Sequence, residues 1–234
     1  MSATTFTRLF AGIAALGLGY AVVGGASALS AETVVHAPAA LVTAPATANR
    51  DTAIFAGGCF WGVQGVFAHV KGVTSAVSGF TGGSAQTAHY ERVSEGDTGH
   101  AESVRVTFDP RVVSYADLLR IYFSVVTDPT ELNRQGPDAG TQYRSALFPT
   151  SPAQLHIAQA YLAQLSRAKL WSQPIVTRIE RAQPFYPAEG YHQNYLTLHP
   201  DAGYIRVNDL PKVAALKAMY PQWWRPEPVL ARTA

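Results

Sequence analysis

Apolar positions change their period several times along the chain, and each change marks a predicted element. Residues 9–25 form an almost unbroken run of apolar and small residues, whereas residues 32–50, rich in Ala, Thr, Val and Pro, keep no period. Residues 52–56 are short, apolar and β-prone, which predicts a strand, and Gly57-Gly58 breaks it at once. Val63, Val66, Phe67 and Val70 then recur on one face of an amphipathic helix, and a returning strand is expected over residues 73–78. Glu102, Val104, Val106 and Phe108 share one parity while Ser103, Arg105 and Thr107 take the other, the pattern of a strand with one buried face.

Ser114 and Asp117 make a capping pattern ahead of Leu118, Leu119, Tyr122 and Val126 at helical spacing. Residues 127–140 have no period and hold Pro129, Gly136, Pro137 and Gly140, so a long loop is expected there. A strand over residues 141–148, a helix from Pro152 to about residue 169 behind Ser151, and a strand over residues 175–182 follow. Phe185, Tyr186, Tyr191, His192 and Tyr195 show no period and read as a wrap around the core near the site. Residues 211–220 form a terminal helix capped by Asn208 or Asp209. Strands alternating with helices, with antiparallel returns, predict an α+β two-layer sandwich with a C-terminal helical extension.

With 234 residues and 47% hydrophobic content, one main domain with a substantial core is expected. The 18 basic and 16 acidic residues show no run of like charge, which argues against nucleic acid as a partner. Arg8 ahead of the apolar run and Ala26-Ser27-Ala28 after it read as a secretory signal with a cleavage site. The chain thus divides into a signal (1–31), a linker (32–50), a domain with its extension (51–224) and a tail (225–234). An exported protein, periplasmic or secreted, is expected; the alternative is an uncleaved membrane anchor.

Export gives the single cysteine its interest. Cys59 has no partner for an internal disulfide, and a free thiol outside the reducing cytosol needs a reason beyond that of a small buried hydrophobe. It falls at the first turn of the predicted helix, where unpaired N–H groups and the helix dipole stabilise a thiolate, so a lowered thiol pKa is expected. Phe60 and Trp61 add an apolar surface suited to a methyl group, or else pack as ordinary core. Glu102 points with the apolar face of its strand. Desolvation there would raise its pKa and keep it a proton donor near neutral pH, unless it turns to water at a frayed strand start. No metal-ligand spacing and no nucleotide loop are present.

Gly58-Cys59-Phe60-Trp61-Gly62 resembles the catalytic signature of the A-type peptide methionine sulfoxide reductases. The likeness continues through Gly79-Phe80-Thr81-Gly82-Gly83, Gly96-Asp97-Thr98-Gly99-His100-Ala101-Glu102 and Gly140-Thr141-Gln142-Tyr143-Arg144-Ser145, in the family's order and at similar spacing. It covers residues 52–199, and Asn208-Asp209-Leu210-Pro211-Lys212 is similar to an extension found on some members. The resemblance implies helices on a mainly antiparallel sheet, and reduction of the S epimer of methionine sulfoxide, free or in proteins, through a cysteine sulfenic acid. It implies Cys59 as nucleophile, Glu102 as acid, Tyr90 and Tyr143 as donors to the sulfoxide oxygen, Phe60 and Trp61 around the substrate methyl, and Asp138 on the polar side of the pocket. His100 is read as structural. Thr127 and Phe80 stand where many relatives carry histidine and tyrosine.

Many members carry further cysteines near the C-terminus, and this chain has none, so an external thiol reductant is required, either a thioredoxin-like protein or a small thiol. No bound cofactor is needed, and a monomer acting on oxidised proteins or peptides is expected. Two rival readings remain open: a cysteine hydrolase or acyltransferase with His100 or His192 as base, and a binding module that holds oxidised methionine without turnover.

Overall fold

The computed structural model describes Met1 and residues 34–181 and 183–232. Apart from Met1, the signal expected over residues 1–31 lies outside the described residues. Strand β1 (Asp51–Gly57) leads through a two-residue turn into helix α1 (Phe60–Ala68), and β2 (Val73–Thr81) returns. A short helix α2 (Tyr90–Ser94) precedes β3 (Ala101–Phe108), and α3 (Tyr115–Ile121) runs into a π-helical turn at Tyr122–Val126. A small hairpin, β4 (Arg134–Gln135) and β5 (Asp138–Ala139), sits in the expected loop. Then come β6 (Ser145–Phe148), α4 (Pro152–Ala168), β7 (Arg178–Ile179), β8 (Phe185–Pro187), α5 (Tyr195–Leu198) and α6 (Leu210–Met219).

Six strands form one sheet in the order β7-β6-β1-β3-β2-β8, antiparallel at every step except β6 with β7. Phe55 stands opposite Val104 and Leu147 in register, so Ala53, Phe55, Val104, Val106 and Phe108 line one face of the sheet. That face meets α1, α3 and α4 in the main core, with Val63, Val66 and Phe67 supplied by α1. Ile54, Ala56, Ala146 and Phe148 project to the other face and form a small cluster with Phe185. Glu102 has the parity of Val104, so it points into the helical layer where α1 begins. This is an α+β sandwich with a helical C-terminal extension.

Local signals explain most boundaries. Ser114 and Asp117 make both hydrogen bonds of the capping box on α3, and Ser151 caps α4 with Pro152 at its first position. Over residues 141–148 the strand is shorter than its apolar pattern: Thr141–Tyr143 coil into a 3₁₀ turn, with the Tyr143 N–H donating to Gly140 O at 3.0 Å, before β6 starts. Among the described residues of 175–182 the strand is reduced to Arg178–Ile179, followed by the Glu180 N–H donating to Leu147 O, because the Val176 N–H is taken by Pro129 O of the loop. Asp209 does not cap α6 with its side chain. A second π-helical turn, Ile205–Asp209, precedes that helix and sends the carboxyl inward.

Residues 34–50 carry no regular element, yet part of this segment is docked. Ala37 is fully buried, its N–H donates to Ser124 Oγ and its carbonyl accepts from Arg120, while Pro38 O accepts from the Tyr161 hydroxyl at 2.7 Å. Gln164 holds Leu41 N–H and Ala39 O. The segment is a strap across α3 and α4. At the other terminus, Asn194 makes a reciprocal pair of hydrogen bonds with the backbone of Ala231.

Candidate active site

The turn between β1 and α1 places the sulfur. Gly58 has φ +88°, and a Cβ there would lie 2.6 Å from Gln135 Cβ, so both backbone and space call for glycine. Cys59 then occupies the N-cap of α1, a helix with no acidic residue in its first turn. Its first N–H groups face functional atoms: Phe60 N–H donates to Glu102 Oε2 at 2.9 Å, and the Trp61 N–H favours the anionic form of the Cys59 sulfur. One helix start thus joins the nucleophile candidate to the acid candidate.

Glu102 is 3% exposed, and burial pushes its carboxyl up to about 8, helped by the charges of Asp138 and Asp209 and opposed by the Phe60 N–H. It is therefore a neutral acid at neutral pH, as its place on the apolar face of β3 predicts. The thiol goes the other way from its expectation. Burial first, then the charges of Glu102 and Asp209, push the Cys59 thiol well above its ordinary value, and the Trp61 N–H only partly counters them. A helix start stabilises an anion where water or a cation shares the work; here desolvation and carboxylates win, and the resting sulfur is a neutral thiol.

The remaining predicted residues converge on the same hollow. The Tyr143 hydroxyl, carried by the 3₁₀ turn, is pushed up by burial and by the charges of Glu102, Asp138 and Cys59. Tyr90, at the start of α2, is raised by burial and by Glu102, with smaller contributions from Cys59 and Asp138. Its backbone N–H is held by Glu189. Asp138 on β5 is half-buried, its pKa raised by burial and partly restored by a hydrogen bond from the Tyr204 hydroxyl and the charge of Lys212. Phe60 is buried between Phe80 and His192, and Trp61 stacks on Tyr195 at 3.9 Å with its edge toward Tyr204. Arg144 locks the frame from behind, pairing with Glu180 through two nitrogens and donating to the carbonyls of Gly99, His100 and Thr141.

Two neighbours escaped the sequence reading as site residues, and a third, His192, was read only in the aromatic wrap near the site and as the base of a rival mechanism. Tyr204 bonds Asp138, and Asp209 acts on both Cys59 and Glu102; both come from the segment before α6, whose residues read only as the approach to a helix. His192 accepts the Trp61 indole N–H on Nδ1 at 3.2 Å and packs 4.4 Å from the Tyr90 ring. The lack of a period in the aromatic segment was the available signal for it. Neither candidate histidine is placed as a base for the thiol. His100 uses Nδ1 for Gly83 N–H and Nε2 for Ser84 O, His192 Nδ1 serves Trp61, and the side-chain charges acting on Cys59 are carboxylates. Among the described residues no group of His, Cys, Asp and Glu is arranged to hold a metal ion.

Residues 51–223 match the family model described as peptide methionine sulfoxide reductase. Peptide methionine sulfoxide reductase MsrA 2 of Mesorhizobium japonicum is 59% identical over 189 residues, spanning 81% of this chain and 97% of that protein. The MsrA of Deinococcus radiodurans is 50% identical over 173 residues, 74% of this chain and 84% of that one. Among solved structures, reduced Mxr1 from Saccharomyces cerevisiae superposes with a TM-score of 0.61 at 31% identity, covering 77% of this chain and 97% of its own. Methionine sulfoxide reductase A of Corynebacterium diphtheriae gives 0.55 at 32% identity, covering 65% and 76%.

Proposed function

From the premise that the chain belongs to the peptide methionine sulfoxide reductase family, we propose how its residues share the thiol-dependent reduction of methionine sulfoxide to methionine. The protein is an oxidoreductase that repairs oxidised methionine, with the S epimer as its substrate. Phe60 and Trp61 enclose the substrate methyl, while Tyr90 and Tyr143 donate hydrogen bonds to the sulfoxide oxygen. Asp138, held by Tyr204, keeps the polar wall in place. Glu102 protonates the oxygen as the Cys59 sulfur bonds to the sulfoxide sulfur, and the thiol proton passes to the Glu102 carboxylate so formed. The hydroxyl then moves to Cys59: thiol plus sulfoxide gives sulfenic acid plus thioether, with every atom accounted for.

The observation that carries this reading is the neutral Glu102 carboxyl anchored on Phe60 N–H, one residue from the only cysteine. A thiolate is not needed at rest, because the acid that activates the sulfoxide also receives the thiol proton. With no second cysteine in the chain, regeneration takes two external thiols, which leave as a disulfide with one water. A thioredoxin-like protein or a small thiol fits that requirement. We also propose export, directed by the signal read over residues 1–31. N-terminal sequencing of the protein recovered from cell fractions tests it: an intact Met1 in the cytosolic fraction would reject it.

The deciding experiment supplies both epimers of a methionine sulfoxide peptide to the wild type and to Cys59→Ser. With dithiothreitol, the wild type should consume one epimer over many turnovers. Without any thiol it should stop after one methionine per chain, and Cys59→Ser should form none while retaining its fold. Methionine formation by the serine variant would refute the assignment of the nucleophile.

A further inference from the structure

One aromatic ring beside the hollow has no part in the reaction above. Tyr191 is 60% exposed, the single aromatic among the exposed large apolar side chains of the described residues. Its ring centroid lies 4.2 Å from that of His192, whose ring in turn packs 4.4 Å from Tyr90 and 5.0 Å from Phe60. Tyr90 and Phe60 are the walls assigned to the sulfoxide oxygen and the methyl. Tyr191 therefore stands one ring outside the pocket, with most of its surface in water.

The turn that displays this ring is fixed on both sides. Gly190–His192 form a 3₁₀ turn closed by His192 N–H on Glu189 O and by Gln193 N–H on Gly190 O. Ahead of it Glu189 accepts Tyr90 N–H, and behind it the Gln193 amide holds Ser78 N–H and O and Ala188 O. A ring held in this way loses little freedom when a partner stacks on it. The residue after Tyr90 on α2 is Glu91, with a side chain 77% exposed. Its own backbone N–H, and then His89, hold its carboxyl below the usual carboxylate range, so it is ionised at neutral pH. Arg92, the only basic residue of α2, is engaged by Glu95 and Asp97. The rim around Tyr191 thus combines an open aromatic face with a carboxylate.

We propose that Tyr191 is a specificity-determining residue: its ring receives the side chain next to the oxidised methionine of a peptide and, with Glu91 on the neighbouring helix, selects a basic neighbour over an acidic one. Consecutive Cα atoms are about 3.8 Å apart, so a neighbouring side chain reaches a ring that stands one ring beyond the pocket wall. Lysine or arginine there gains a cation–π contact with the exposed face, and the carboxylate favours the same charge. Glutamate there meets Glu91 as a like charge. Methionine sulfoxide without a neighbouring residue gains nothing from the ring. The inference rests on Phe60 and Tyr90 lining the substrate pocket, as proposed above.

The test is internal competition with the full chain and dithiothreitol. N-acetylmethionine sulfoxide and short peptides with lysine, alanine or glutamate on both sides of the oxidised methionine share one reaction, and mass spectrometry of what remains gives the ratios of their kcat/KM. The wild type should favour the lysine peptide over the glutamate peptide by about 3- to 10-fold. Tyr191→Ala should remove the advantage of the lysine peptide over N-acetylmethionine sulfoxide, whereas Tyr191→Phe, which keeps the ring, should retain it. Glu91→Gln, or added salt, should narrow the ratio of the lysine to the glutamate peptide. Thermal melting confirms that each variant is folded, and Tyr191→Leu gives the same readout if the alanine variant fails to fold. A wild type that treats the three peptides alike overturns the proposal, and so does a loss in Tyr191→Ala shared equally by all four substrates, which marks a merely disturbed wall. If no substrate yields methionine, the reductase reading itself fails and this inference falls with it.

Discussion

At Glu102 two expectations meet, one kinetic and one thermodynamic. Its carboxyl, held at about 8 by burial, must be protonated to act, so the single-turnover rate of methionine formation should fall as pH rises through that value. Glu102→Gln should slow the first step by about 10²- to 10⁴-fold and lose that limb of the profile. Stability follows from the same shift. Between about 4.5, the ordinary value, and 8 the folded chain holds a proton that the unfolded chain has released, so folding weakens as pH rises through that window. Glu102→Gln should therefore melt higher than the wild type at the alkaline end, by an amount on the order of a few kcal/mol, with no such gain below about pH 4.5. Equal melting differences at both ends would show that the acid is not buried neutral. The parity of β3 made Glu102 legible as a desolvated acid. The thiol was misread, since helix position is local while the burial that desolvates the sulfur, and then the carboxylates facing it, come from β3, β5 and the C-terminal extension.

Among the elements, the β1–α1 turn is the least forgiving. Gly58→Ala must accept φ +88° and displace Gln135, whose amide closes the loop onto Asp128 N–H and O. A loss of roughly 1–3 kcal/mol in stability is expected, together with reduced activity, because the same loop carries Asp138. Denaturant melts alongside turnover assays check both, and intact activity would mean that the turn does not set the site. Ser114→Ala removes a cap far from the chemistry and should cost about 1 kcal/mol with kcat unchanged. The capping box of α3 and the serine cap of α4 were plain in the residue types, and β1 and β3 in the apolar period. The short pairing at β7 and the π-helical turn before α6 were not, because one depends on a loop carbonyl competing for a strand N–H and the other on a carboxyl drawn inward.

For the whole molecule, the strap ties the segment upstream of β1 to α3 and α4 through Ala37, Pro38, Ala39 and Leu41. A chain starting at residue 51 should keep its KM and lose about 5–15 °C in Tm, at roughly 1 kcal/mol for each net hydrogen bond lost. An unchanged Tm would show that the strap adds nothing to the fold. Sequence alone determined the alternation of strands and helices, the parity that buries Glu102, the glycine turn that presents Cys59 and the need for an outside reductant. These follow from residue type and spacing along the chain. Only the tertiary structure decided the neutral state of the thiol, the docking of residues 37–41, the arrival of Tyr204 and Asp209 at the site, and the bond from the Trp61 indole to His192. Those depend on charges, carbonyls and rings far apart in the chain, whose mutual approach no local period encodes.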